Sequence, residues 1–537
     1  MKQYLYILLV LLGGMSACKK EELGELRMFT PTGTVAVYPS TSSVLLRWKQ
    51  SINTDTASTS YTVEVSKDSL FATTDFTFHT DSAAITLRDT SLAVRVGYFA
   101  RIKANGNSGR VDSRWLQSQK FAIIGEQLML PIRDPELFDT KVTLRWKKAT
   151  DITSILLVSP GGQNTYPVSA AELADSMKTI TGLTPLTHYT MELYAGTKSR
   201  GYTSFTTLAA VNYSFAITPA DNLATVIDTC SNGAVIGLAP GEYGIGTVGA
   251  YIIRNKSITL RGTAGDPALT KVNFKEFTLK GNEAGLTLYA LELDGKNNTA
   301  TYVINLTGLN ADGDNAAFKN VIIENCRIHD YTNCLLRANR GAQAGSHSIN
   351  VIQLRNSRVY NNTMGSPYTE FTMDKLNFSQ LLIMNNTFYK AGQSIVSCGT
   401  AVTAATTPKV TIDHNTFNSF GFNNSRVLFD GNANTVAFTI TNNIFANTPR
   451  TGSAYGDAFR ASATSSVVYS YNNSFNFYST GTTALNLPNG TNITKAGNRN
   501  ISLNWDANTT NFTLPANSEL RTAGSGGSAI GDVNWTY

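Results

Sequence analysis

Cysteine is scarce in this chain, at five of 537 residues. Cys18, Cys230, Cys326, Cys334 and Cys398 show neither Cys-x-x-Cys spacing nor a dense pairing pattern. Zinc ribbons and disulfide scaffolds are therefore excluded, and the four beyond Cys18 are expected as small buried hydrophobes. Charge is also thin: 15% of residues are charged, and 44 Lys and Arg against 38 Asp and Glu give a net +6. The basic residues form no runs, which argues against a nucleic-acid partner but leaves weak attraction to acidic polymers open. No apolar run approaches the ~20 residues that a membrane-spanning helix needs. What the chain does hold is 42% hydrophobic residues and an abundance of Asn, Thr, Ser and Gly. That mixture favours β-structure with many turns, and the length suggests about three domains.

The N-terminus reads as an export signal. Lys2 precedes an apolar run from Tyr4 to Leu12, and Gly13, Gly14, Ser16 and Ala17 lead to Cys18. This is the pattern of a secretory leader. Met15-Ser16-Ala17-Cys18 resembles a lipobox, which implies that Cys18 is lipidated and becomes the mature N-terminus. A lipid chain would then be the sole membrane attachment. Lys19-Lys20-Glu21-Glu22 resembles the Lys-then-acidic signal of surface-exposed lipoproteins in glycan-foraging Gram-negative bacteria. The expectation is a signal peptide at 1–18, a tether at 19–27 and an outer-membrane, surface-exposed location.

Short alternating strands follow. Val44-Leu45-Leu46-Arg47-Trp48 and Tyr61 to Ser66 alternate with period two. Trp48, followed later by Tyr98, resembles a fibronectin type III sandwich with its tyrosine corner. Lys141 to Trp146 repeats the Trp strand, and Gly182-Leu183-Thr184-Pro185-Leu186-Thr187-His188-Tyr189 resembles the corner motif of that family. Type III-like domains are expected at 28–122 and 126–208, with Trp48, Trp146, Tyr98 and Tyr189 in core or corner roles and His188 in an exposed turn.

From residue 213 onward the texture changes. Ala239-Pro240-Gly241-Glu242-Tyr243, then Ser257 to Gly262, resembles the opening coil of pectin-lyase-like β-helices. A repeat then sets in, with copies at 321–328, 352–359, 381–388, 410–417 and 438–445, and a degraded one from Val468 to Phe475. Counting from Asn325 through Asn356, Asn385, His414 and Asn442 to Asn472 gives steps of 31, 29, 29, 28 and 30 residues. Such a period suits one coil of a β-solenoid, with coils about 4.8 Å apart. Equivalent residues then form columns. Cys326, Ser357, Asn386, Asn415, Asn443 and Asn473 are expected inward as a hydrogen-bonded ladder. Ile328, Val359, Phe388, Phe417, Phe445 and Phe475 are expected as an apolar core stack. The fold class is all-β: two fibronectin type III-like sandwiches followed by a right-handed parallel β-helix at 213–537.

The C-terminal Ala529-Ile530-Gly531-Asp532-Val533-Asn534-Trp535 resembles a tail recurring in β-helix lipoproteins of glycan-utilisation loci, where Pro-Arg often replaces Val533-Asn534. The resemblance spans nearly the whole chain and implies a carbohydrate context, with outer-membrane glycan transport proteins as partners, but it brings no activity with it.

Function on a solenoid sits on its outward faces and loops. The register places Arg327 beside Arg358, Glu324 beside Arg355, and aligns His329, Tyr360 and Tyr389, then Asp330, Asn361 and Lys390. Arg327, Arg355, Arg358, Tyr360, Tyr389 and Lys390 would form a patch for an acidic polysaccharide. Arg pairs bidentately with carboxylates, and Tyr offers a flat face to a sugar ring. A salt-bridged surface, such as Glu324 with Arg355, is the alternative. A polysaccharide lyase would need the uronate carboxylate neutralised, by Ca²⁺ or Arg, and a base. Lys390, assisted by Arg358 or Arg426, is the candidate base. The Arg-Pro-rich motif of pectate lyases is missing, and so is the Lys-Ser motif of the chondroitinase B group. Asp312 and Asp314, or Asp374 and Asp430, are weak candidates for a cation, so no metal site is assigned. No Asp-Asp pair suggests a glycosidase. An adhesive or structural stalk is the third possibility.

Overall fold

The computed structural model describes residues 26–52, 59–107, 109–362, 367–404, 406–422, 425–450 and 452–537. The leader, Cys18 and most of the tether lie outside the described residues, as does the side chain of Arg426. The chain divides into two compact units. One runs through Pro131 and includes Leu144–Lys178 and His188–Thr206; the other comprises Ile132–Thr143, Thr179–Thr187 and Thr207–Tyr537.

The first sandwich has strands β1 (Thr32–Pro39), β2 (Ser43–Lys49), β3 (Tyr61–Ser66), β4 (Phe76–Thr80), β5 (Ala84–Arg88), β6 (Phe99–Ala104) and β7 (Leu116–Gln117). They form sheets ordered β1-β2-β5 and β4-β3-β6-β7, the fibronectin type III arrangement. Alternation in the sequence is alternation in burial: Val44, Leu46 and Trp48 point inward from β2. Tyr98 is buried, and its hydroxyl accepts the Ala93 N–H at 3.3 Å, which makes it the corner residue. The plan recurs with β8 (Lys141–Arg145), β9 (Ser154–Ser159), β10 (Gly162–Pro167), β11 (Met177–Thr181), β12 (His188–Ala195) and β13 (Lys198–Thr206). Their orders are β11-β8 and β10-β9-β12-β13. Trp146 and Tyr189 are buried, and His188 is exposed.

The C-terminal unit is a parallel β-helix. Among the described residues it has three parallel sheets, of 12, nine and eight strands. A complete coil runs through face 1, face 2 and face 3 in that order; Val321–Glu324, Arg327–His329 and Cys334–Arg337 make one coil. The coils start earlier than the clear sequence repeat, with Val235–Leu238, Gly241–Tyr243 and Tyr251–Arg254. A short helix, Leu223–Thr229, lays Leu223 and Ile227 on the core of the first coil.

Two corners of the coil need a left-handed residue. Between faces 1 and 2, Asn325, Asn356, Asn385, His414, Asn442 and Tyr471 hold φ between 51° and 58°. After face 2, Asp330, Asn361, Lys390, Ser419, Asn447 and Asn476 hold φ between 49° and 59°. Asn and Asp tolerate this region best among residues with a side chain, which explains the recurring Asn.

The inward residue after the first corner builds the ladder. The Cys326 N–H donates to Ser357 Oγ at 3.0 Å, and the Ser357 N–H to Asn386 Oδ1 at 2.9 Å. The Asn386 N–H and Nδ2 both donate to Asn415 Oδ1 at 3.0 Å. Asn415 repeats this on Asn443, and Asn443 on Asn472. Each amide also donates to a carbonyl one coil back, as Asn415 does to Ile383 O at 2.8 Å. These side chains are fully buried and paired on both sides.

The final coil corrects the sequence register by one residue. Asn472, not Asn473, occupies the ladder, and Asn498 extends it through a 2.9 Å bond from the Asn472 N–H. Tyr471 takes the left-handed corner. The strand parity there is set by Val467 and Tyr469, which align with Phe438 and Ile440 in the core. Phe475 accordingly faces away from the core stack and joins Ile444, Ala446, Leu514, Leu520 and Ile530 in a separate cluster. The stack runs Phe388–Phe417–Phe445–Phe477, with ring centroids 4.9, 5.1 and 5.4 Å apart. The four cysteines beyond residue 18 are buried and free.

Glu370 brings a carboxylate fully inside the helix. The Glu370 carboxylate accepts from Tyr331 Oη at 2.7 Å, the Leu335 N–H at 3.0 Å and Asn362 Nδ2 at 3.2 Å. Burial outweighs these donors and raises its pKa to about 7. The folded state then binds this proton more tightly than the unfolded state. Its stabilising contribution, present below the unfolded carboxylate range, is lost as pH rises from about 4.5 through 7. The rise corresponds to about 3 kcal/mol. Glu370→Gln should flatten this part of the pH profile, measured as thermal unfolding of the full chain between pH 5 and 8. Asn415→Ala strands two buried donors of Asn386 and should destabilise the β-helix by about 2–5 kcal/mol. Asn476→Ala, which removes exposed bonds to Asn447 and Tyr478 and puts alanine at a left-handed corner, should cost about 1–2 kcal/mol in the same denaturation experiment.

Candidate functional site

Face 2 has two outward rows. In one, Glu242, Lys271, Glu292, Arg327, Arg358, Thr387, Thr416 and Ile444 stand in direct register. In the other, Asp294, His329, Tyr360, Tyr389 and Asn418 align. The sequence-derived pairs Arg327 with Arg358, Glu324 with Arg355, and His329 with Tyr360 and Tyr389 are therefore neighbours.

The aromatic row is closed upon itself. His329 stacks on Tyr360 at 4.7 Å and Tyr360 on Tyr389 at 4.9 Å, with interplanar angles of 17° and 5°. Both faces of Tyr360 are thus occupied by protein rings. The row presents ring edges and hydroxyls, not the open ring face expected from sequence. Tyr389 further abuts Phe512 at 5.8 Å.

Several candidate cations have partners within the same compact unit. Arg355 pairs with Asp134, so the expected Glu324–Arg355 bridge gives way to a contact from a distant segment. Lys390 Nζ donates to Asn508 Oδ1 at 3.0 Å. Arg358 lies over the Trp535 ring at 4.5 Å, a cation–π contact, while Trp535 Nε1 donates to Thr387 Oγ1 at 2.8 Å. Arg327 approaches Glu292 at 4.0 Å and keeps 35% of its side chain exposed.

The N-terminal end of these rows holds acids that sequence reasoning passed over. Asp294 and His329 are buried. Asp330 Oδ2 lies 2.6 Å from His329 Nδ1, Asp294 Oδ1 lies 3.9 Å from that nitrogen, and Glu292 Oε1 lies 3.6 Å from Nε2. Asp294, His329 and Asp330 could in principle hold a cation. Their chemistry fits an ion-pair network better. Lys271 Nζ already sits 2.9 Å from Asp294 Oδ2, and the Lys296 N–H donates to Oδ1 at 2.9 Å. The backbone N–H and the Lys271 ammonium help hold the Asp294 carboxyl below its ordinary range despite burial. Strands too short and irregular to show the repeat, such as Glu292–Asp294, hid this part of the rows. The other sequence candidates are structural: Asp314 caps the Asn310 and Ala311 N–H groups, Asp312 pairs with Arg340, and Asp430 pairs with Arg460. Asp374 accepts from Ser397 Oγ at 3.0 Å.

The C-terminal tail covers the rest of face 2. Asp532 is buried and accepts from Thr387 Oγ1 at 2.7 Å, and its own N–H donates to Thr416 Oγ1 at 3.0 Å. Burial raises its pKa to about 6. The Gly531 N–H donates to Asn442 O at 2.7 Å, and His414 Nε2 lies 3.1 Å from Ser528 Oγ.

No protein-family model matches the chain, and no curated protein matches it. Solved structures do. One is a two-domain fibronectin type III segment of chicken tenascin, at 17% identity over 33% of this chain and 97% of that one, with a TM-score of 0.17. A second is the FN1–FN3 region of chicken CNTN1, at 13% identity over 34% and 68%, TM-score 0.15. A third is the chicken interferon gamma receptor alpha chain, at 14% over 33% and 98%, TM-score 0.16. The type III assignment rests on the two strand orders rather than on these scores.

If the tail is docked as described, Trp535→Ala should raise amide exchange across 529–537 while the ladder of the coils beneath stays protected. Unchanged exchange in that segment would contradict the docking.

Proposed function

We propose that the chain is a cell-surface lipoprotein, anchored through Cys18 in the outer membrane, that binds an acidic polysaccharide within a glycan-utilisation system. One observation carries this reading: Arg327 and Arg358 stand in adjacent coils on an uncovered stretch of face 2, beside the His329–Tyr360–Tyr389 stack. Two guanidiniums one coil apart suit successive carboxylates of a polyuronate, and the ring hydroxyls supply neutral hydrogen bonds. Lys390, tied to the neutral Asn508 amide, flanks the site and contributes positive potential, whereas the Asp134 carboxylate offsets the charge of Arg355. Outer-membrane glycan transport proteins would be the partners to which such a protein delivers its ligand.

Binding is favoured over β-elimination by the state of the candidate bases. Lys390 is held by the tail, and Arg358 is engaged with the Trp535 ring. Affinity electrophoresis in polygalacturonate, alginate and hyaluronan gels tests the reading. The native chain should be retarded by at least one polymer, and Arg327→Ala with Arg358→Ala should abolish the retardation. Equal mobility of the native and doubly substituted chains would remove this site. Release of unsaturated uronate, read by ultraviolet absorbance with and without Ca²⁺, would replace binding with lyase activity.

A further inference from the structure

The outward row of Arg327 and Arg358 stops abruptly. Glu292 and Arg327 keep 21% and 35% of their side chains exposed, and Arg358 is exposed. The next three members, Thr387, Thr416 and Ile444, are 0%, 1% and 1% exposed. The change takes place in one coil step and has one cause: the tail lies across the row from Thr387 onward. Trp535 stands at the boundary, its ring against the Arg358 guanidinium and its Nε1 on Thr387.

The barrier is built firmly. Phe512 packs on Trp535 at 5.7 Å and on Trp505 at 5.0 Å. Leu514, Leu520 and Ile530 bury against Ile444, Ala446 and Phe475. The end of the chain is clasped from the side as well. Arg133 donates from Nη2 to Tyr537 O at 3.0 Å, and Asp134 of the same segment pairs with Arg355. The open cationic stretch is therefore bounded along the helix axis by Trp535 and flanked at the face 1 edge by residues 133–136.

A long polymer lying along face 2 would have to climb over the tail after Arg358. A polymer that terminates there would not. We infer that the site recognises the end of an acidic polysaccharide chain or a short acidic oligosaccharide, with the terminal uronate at Arg358 against Trp535 and the preceding uronate at Arg327. This inference rests on the glycan-binding reading and narrows its ligand.

Counting binding sites against polymer length tests it. Polygalacturonate, alginate and hyaluronan are each prepared as intact polymer and as size-fractionated oligosaccharides, and each is titrated calorimetrically into the full chain. For a polymer that binds, sites per unit mass should rise in inverse proportion to chain length, so that a tenfold shorter preparation shows about ten times as many sites. Sites per unit mass that stay constant with length would overturn chain-end recognition while leaving glycan binding intact. Failure of all three to bind in any form would overturn both.

Discussion

Backbone hydrogen bonding holds successive coils of the β-helix about 4.8 Å apart, and the remaining features of the C-terminal unit follow from that spacing. Rings at equivalent positions meet at stacking distance, as Phe388, Phe417 and Phe445 do. Amides at equivalent positions meet at hydrogen-bonding distance, as Asn386, Asn415 and Asn443 do. A buried amide is costly alone, but here each oxygen and each N–H finds a partner in an adjacent coil. The ladder thereby fixes register: slipping two residues one way would place Phe417 where the two donors of Asn386 wait, and two the other way would place Asn415 in the aromatic stack.

The same spacing organises the outer surface. Charges placed once per coil become a column, so Lys271, Glu292, Arg327 and Arg358 lie side by side although they are far apart in sequence. Like charges of Arg327 and Arg358 in adjacent coils repel, and the structure answers with Glu292 near one and Trp535 over the other. A ligand bearing carboxylates at a similar interval would relieve that repulsion further. The tail decides how much of the column is available, because its apolar cluster covers the coils beyond Arg358.

Much of this was legible in the sequence because the coil period was. The columns Arg327–Arg358, His329–Tyr360–Tyr389 and Cys326–Ser357–Asn386–Asn415–Asn443 follow from counting between Asn residues that share one left-handed corner. The count passes His414, because Asn415 and Phe417 keep the pattern around it, but it fails in the last coil. Tyr471 fills the corner there, so Asn472 was taken for the corner and the register slipped by one. The earlier coil with Glu292 and Asp294 was missed for the same reason: Ala290 is its left-handed residue and carries no signature. Long-range cover was not legible at all. Nothing local in Trp535, Asn508 or Asp134 announces Arg358, Lys390 or Arg355 as partners, since these contacts depend on how the tail and the 133–136 segment return to face 2. For the same reason the rings of Tyr360 looked available in sequence but are closed by their own column.

Amide hydrogen exchange on the native full chain tests the stacked register most directly. The segments 381–388, 410–417 and 438–445 should exchange most slowly of all and at a common rate, because each donates into the next through the same ladder. Exchange of these three segments at separate rates, or as fast as the exposed 399–404 loop, would contradict the account.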